Sequence, residues 1–184
     1  MKYLKVLFDT KSRYSDFEYK MDEINIAKTW NKNGETPKEM GGINFSDEEN
    51  IIRWIHNGNM ICDVIVPEDS EVVRVMSSAT PGGVYRANKV ILTNKRMVTD
   101  DMAMEFYNKT KIPESAFPKA LGGVSIMNYK NTALKILKDK VNASNIDYYL
   151  EEWNDFISKK DRKDSNETVK LIDTELNKIK KLGN

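Results

Sequence analysis

Apolar and polar positions follow a period of two in the first part of the chain and helical spacing later, with the change near residue 100. Tyr3 to Phe8 alternates and is rich in aromatic and branched residues, which predicts a strand, and Asp9 to Ser15 breaks it with turn formers. Phe17 to Met21 predicts a second extended segment, so the two make a hairpin. Trp30 to Met40 carries Asn31, Asn33, Gly34 and Pro37 and predicts a polar loop. Gly41-Gly42 then lets the backbone bend into a short strand, Ile43 to Phe45. Ser46-Asp47-Glu48-Glu49 has the form of a capping box and predicts a helix that turns Ile51, Ile52, Trp54 and Ile55 to one side and stops at Asn57-Gly58. His56 falls in its last turn, where an imidazolium would meet the negative helix end. Met60 to Val66 and Glu71 to Met76 predict strands around the turn Pro67 to Ser70, and Val84 to Thr93 predicts another.

From Thr99, an N-cap candidate, helices dominate. The spacing predicts one over Asp100 to Thr110, a short turn-like helix between Pro113 and Pro118, and a break at Gly122-Gly123. A long amphipathic helix then covers Val124 to Val141, and another, capped by Ser144 with Asp147, runs to Ile157 as its antiparallel partner. Lys159 to Asn166 predicts a linker, and Asp164 with Glu167 opens a last helix whose apolar residues are Val169, Leu171, Ile172, Leu176, Ile179 and Leu182.

These elements predict an α+β fold: a mostly antiparallel or mixed sheet in the N-terminal half, packed with C-terminal helices. Residues 1–158 are expected to form one domain, and residues 159–184 a linker with a separable amphipathic helix. That tail holds eight Lys and Arg against five Asp and Glu, a net of +3. Its stripe predicts a homodimer or a tail docked on its own domain.

Composition narrows the chemistry. Among 184 residues, 29 Lys and Arg face 28 Asp and Glu, which excludes a generally basic nucleic-acid binder and an acidic mimic of nucleic acid. One cysteine and no opening leader pattern predict a cytoplasmic chain without disulfides, and no apolar run approaches the roughly 20 residues of a membrane span. A His/Cys metal or nucleophile site would depend on His56 and Cys62 alone. Asp47, Glu48 and Glu49 point in different directions on a helix, and the pairs Gly82-Gly83 and Gly122-Gly123 lack the Lys and Ser of a phosphate cradle. No cofactor, metal or catalytic residue is therefore expected.

Two resemblances add to this reading. The run Ile61-Cys62-Asp63-Val64-Ile65-Val66-Pro67-Glu68-Asp69-Ser70-Glu71-Val72-Val73-Arg74-Val75, with a Ser/Thr/Pro/Gly loop and Asn88-Lys89-Val90-Ile91-Leu92-Thr93-Asn94 after it, resembles the closing half of the ADP-ribosyltransferase fold. Gly42-Ile43-Asn44-Phe45-Ser46 then resembles its central serine motif. Where that family places a catalytic Glu this chain has Lys89, with Ala87 two positions earlier, and an ammonium there would oppose the developing positive charge. The resemblance thus implies a degenerate or divergent transferase, and the same turns also suit an ordinary α+β sheet. The segments Met1 to Phe8, Gly41 to Ser46, Ala87-Asn88-Lys89 and Asp139 to Asn142 also resemble proteins of phages and mobile elements of clostridia and related gut bacteria. Some of those are similar to inhibitors of type II CRISPR effector nucleases (anti-CRISPR proteins), which implies a partner-binding role in the host cell.

A binding role directs attention to Arg86, Lys89, Lys95 and Arg96, the densest basic group outside the tail, with Arg74 and the aromatic Tyr85 beside it. That combination is suited to phosphates and a stacked base, and equally to blunting a sheet edge. The expected function is a non-catalytic inhibitor that binds a host defence nuclease, a CRISPR effector foremost. The alternatives are the transferase and a nucleic-acid-binding module that takes double-stranded DNA.

Overall fold

The computed structural model describes residues 1–13, 17–77, 80–158 and 166–183. The chain is α+β and falls into two compact units, Met1–Ile51 with Asn57–Val98, and Ile52–His56 with Thr99–Asn184.

The first unit is a seven-stranded sheet: β1 Tyr3–Leu7, β2 Ile24–Ile26, β3 Ile43–Asp47, β4 Met60–Ile65, β5 Val72–Ser77, β6 Thr80–Ala87 and β7 Lys89–Met97. Their order is β2-β7-β4-β1-β3-β6-β5, and the pairings are antiparallel. Only Asn88 separates β6 from β7, yet four strand steps lie between them in the sheet. A flat sheet would hold them about 19 Å apart, whereas Ala87 and Lys89 can be at most about 7 Å apart. The sheet must therefore curl on itself. It encloses Leu7, Ile43, Phe45, Cys62, Val64, Ala87, Val90 and Leu92, with Phe17, Tyr19 and Met21 packed against them.

Several expectations about this unit are corrected. The segment Phe17 to Met21 is held by the isolated bridges Lys11–Glu18 and Met21–Leu92 and is not a strand, while Ile24–Ile26 is one. The polar loop before Gly41 contains a turn of helix, α1 Pro37–Met40, because Thr36 and Glu39 form a capping box and Pro37 opens it. The box expected at Ser46 does not form: Ser46 and Asp47 are drawn into β3 by pairing with Leu4 and Tyr3. The helix expected after it is a 3₁₀ helix, Ile51–Asn57, with no side-chain cap. Ser15 of the first turn, and Ser78 and Ala79 of the loop before β6, lie outside the described residues.

The second unit is helical: α2 Asp100–Lys109, a 3₁₀ turn Glu114–Ala116, α3 Phe117–Ile126, α4 Lys130–Lys140, α5 Ile146–Ser158 and α6 Glu167–Leu182. Thr99 caps α2 as expected, accepting from the Met102 amide at 3.2 Å. Asp100 reaches across to the amides of Asn131 and Thr132 and so caps α4. The chain does not break at Gly122-Gly123. Both glycines lie inside α3, where a Cβ would come within 2.5 Å of the Phe156 ring at Gly122 and 3.2 Å of His56 Nδ1 at Gly123. The break falls at Asn128, in the left-handed region at φ 62°, and divides the long helix expected over Val124 to Val141. The expected antiparallel pairing of that helix with α5 is replaced by packing around α3, which touches α4, α5 and α6.

His56 is buried edge-on against Phe156 at 5.2 Å. Most of the expected linker and Asp164 lie outside the described residues, and Asn166 caps α6 by accepting from the Thr168 amide. Of the apolar residues of α6, Val169, Ile172 and Leu176 are buried while Leu182 at its end is exposed, and Asp173 accepts from the Trp153 indole at 3.2 Å. Truncation after Ser158 is therefore expected to lower the unfolding midpoint in urea by more than a third, because it strips three core side chains, each contributing about 1.5–3 kcal/mol. An unchanged midpoint would show that α6 adds nothing to the unit.

Candidate functional site

The basic residues singled out in the sequence do not form one cluster. Lys89 opens β7, and Lys95 and Arg96 stand near its other end, about 20 Å along an extended strand. Each meets a carboxylate: Lys89 pairs with Asp69, Lys95 with Asp9 at 3.0 Å, and Arg96 with Asp63 at 2.9 Å. Arg86, half-buried on β6, donates to the carbonyls of Pro37 and Gly41 and so fastens α1 to the sheet. Tyr85 is 7 % exposed, packed against Tyr3 and Phe45 with centroids 5.0 and 5.6 Å away, and its hydroxyl donates to Asp47 at 3.2 Å. Arg74 lies over the same ring at 5.8 Å. Tyr85 offers no free ring face to a base, because that ring is part of the core.

The residues with possible chemistry are also committed. Ser46 is buried in β3 and donates to the Gly83 carbonyl at 3.4 Å. Burial pushes the Cys62 thiol up to about 11, against the opposing pull of Lys95 and Arg96, which leaves it a poor nucleophile. Cys62 and His56 belong to different units. Among the described residues, no group of three His, Cys, Asp or Glu is placed to hold a metal, and no helix is long and apolar enough to cross a membrane.

A different surface stands out. Ile24 of β2 lies opposite Ile91 of β7, which lies opposite Ile65 of β4, and Ile26 comes two residues along β2. Alternation places this row on the face opposite Val90 and Leu92, which point into the core. Opposed side chains on such a face stand about 4.5–5.5 Å apart, so the isoleucines make a continuous apolar strip. Ile24, Ile26 and Ile65 are 54, 67 and 50 % exposed. β2 is also the end strand of the sheet. The bond from the Ala27 amide to the Asn88 carbonyl sets the phase of the β2–β7 ladder, which turns the backbone groups of Ile24 and Ile26 away from β7. The strip thus borders an edge where, among the described residues, no further strand pairs with β2.

Sequence reasoning missed this surface because β2 is three residues long and its Ile-Asn-Ile text is too short to signal a strand. Its two isoleucines around a polar residue were the available signal.

The geometry defines an α+β protein with an apolar sheet edge. Comparison with family models, with curated proteins and with solved structures gave no match.

Proposed function

We propose that this chain is a non-catalytic binding protein that captures a host defence nuclease, a type II CRISPR effector foremost, through the edge of its sheet. The observation that carries the reading is the exposed isoleucine strip beside the open side of β2. Exposed apolar strips on protein domains mark contact surfaces, and an end strand can accept a partner's strand through its main chain. Neutralisation of Lys89, Lys95 and Arg96 by carboxylates weighs against a phosphate-binding surface as the main contact. The choice of partner rests on the resemblance of the N-terminal, central and Asp139 to Asn142 segments to mobile-element inhibitors. Against the transferase alternative stands Lys89, which pairs with Asp69 where that family has an acid.

The test is DNA cleavage by a purified, guide-loaded type II effector with and without the chain, together with retention of the effector on immobilised chain after nuclease digestion. Inhibition and retention are expected. The Ile24→Asp/Ile26→Asp variant is expected to bind at least about tenfold more weakly, or about 1.4 kcal/mol, with its thermal midpoint unchanged because both positions are exposed. No inhibition and no retention would remove this partner; full binding by the variant would remove the strip as the contact. Transfer of label from NAD, lost in Ser46→Ala, would instead establish the transferase.

A further inference from the structure

A cavity of about 250 Å³ lies within the first unit, where the turns around Ser12, Thr29 and Gly41 meet. Its floor is bare backbone. Gly41 and Gly42 sit at φ 62° and 75°, and Cβ atoms there would come within 2.4 Å of the Thr29 carbonyl and 2.7 Å of the Trp30 ring. One side is apolar, made by Phe17, Tyr19, Ala27 and Ile43. The other presents hydrogen-bond donors and positive charge.

The exposed Lys28 lines the cavity, and among the described residues no acidic one does. Asn44 lines it too, and its orientation is fixed from behind: the buried Lys5 ammonium donates to the Asn44 carbonyl at 2.6 Å and to its Oδ1 at 2.9 Å. With its oxygen so engaged, the Asn44 carboxamide has its NH₂ left to donate elsewhere. Gly41, on the floor, accepts from Arg86. Lys5 and Arg86 therefore brace two walls of the cavity, and among the described residues every acceptor of their hydrogen bonds is a neutral carbonyl or amide oxygen. Lys5 also lies over the Tyr19 ring at 5.0 Å. Buried cations are normally balanced by a carboxylate, and here the buried Lys5 and the half-buried Arg86 stand behind a cavity that the exposed Lys28 lines and that, among the described residues, no carboxylate lines.

We propose that this cavity binds a small organic anion, with its carboxylate or phosphate directed at Asn44 and Lys28 and a compact apolar body against Phe17, Tyr19 and Ile43. The volume admits roughly eight water-sized groups, which suits an aryl carboxylate or aryl phosphate and excludes a nucleotide.

Titration of the full chain with benzoate and with phenyl phosphate, monitored by amide chemical shifts, tests the site and separates the two headgroups. Saturable shifts at Gly41, Gly42 and Asn44 are expected with at least one of them. Benzyl alcohol, which lacks the charge, and inorganic phosphate, which lacks the body, are each expected to bind at least tenfold more weakly. Asn44→Asp keeps an acceptor for Lys5 while adding a negative wall, and is expected to abolish the shifts without lowering the unfolding midpoint. Lys28→Gln is expected to weaken binding severalfold. Absence of saturable shifts with both aryl anions, equal binding of benzyl alcohol or inorganic phosphate, or full binding by Asn44→Asp would each overturn the proposal.

Discussion

Between pH 7 and 9 the sheet unit is expected to gain stability, and Lys5→Met is expected to remove the gain. Lys5 is 5 % exposed inside the curled sheet, and burial, reinforced by repulsion from Arg86, brings its ammonium down from 10.5 to about 7. Below pH 7 both the folded and the unfolded chain carry the proton. Above it the unfolded chain still holds the proton that the folded chain has released, so stability rises until the unfolded lysine also titrates near 10.5. Over the two pH units from 7 to 9 the rise amounts to about 2 kcal/mol. Cys62 works in the opposite sense, since burial raises its thiol, but its effect begins near the unfolded value of 9.0. Tyr19, raised by burial, acts higher still. Urea unfolding at pH 7, 8 and 9 for the two chains is the measurement, and parallel profiles would show that Lys5 does not titrate in this window.

Gly58→Ala is expected to be the most damaging single methyl in the chain. Gly58 has φ 167°, extended backbone that alanine also adopts, so its conformation is no obstacle. Space is. A Cβ at Gly58 would sit 1.9 Å from the Leu7 carbonyl oxygen and 2.7 Å from the Phe8 nitrogen. Leu7 is paired with Met60, so the clash pushes the end of β1 away from the start of β4. Backbone cannot turn aside as a side chain can, and a loss of about 3 kcal/mol or more is expected. Gly122→Ala offers the comparison: its Cβ meets the Phe156 ring at 2.5 Å, but a ring can shift, and alanine recovers up to about 1 kcal/mol of helix propensity. Urea midpoints should rank wild type first, Gly122→Ala second and Gly58→Ala last. A Gly58→Ala chain within about 1 kcal/mol of wild type would mean that the close approach is relieved elsewhere.

Two stretches of similar text show what the sequence could and could not disclose. Thr36-Pro37-Lys38-Glu39 and Ser46-Asp47-Glu48-Glu49 both fit a capping box, and only the first forms one. Proline at 37 presets a helical angle, whereas Ser46 and Asp47 are claimed by β1, a partner about 40 residues distant that local reading cannot see. The same limit explains Val84 to Thr93, which was legible as one extended run. It is nearly that, but the pairing changes at Asn88, from β3 and β5 on one side to β4 and β2 on the other. Thr99, the helical change after it and the apolar residues of α6 were readable because caps and period 3.6 are local signals, whereas what those residues pack against was not. The basic residues were visible as letters but not as pairs, since Asp9 meets Lys95 only through the fold. Nor could spacing reveal that Lys5 stands behind Asn44, because the two are 39 residues apart.

The helical unit is not encoded in one piece. Ile52–His56, five residues written into the middle of the sheet's text, belong to it with Thr99–Asn184. Ile52 and Ile55 are fully buried, and His56 packs on Phe156. A gene fragment beginning at Thr99 would therefore produce helices with part of their interior missing, and a protease cut near Val98 would leave the other product carrying that missing part. Neither half can be obtained intact by a single cleavage. A ribosome would release those five residues about 45 positions before Thr99, to wait for the helices that complete their surroundings.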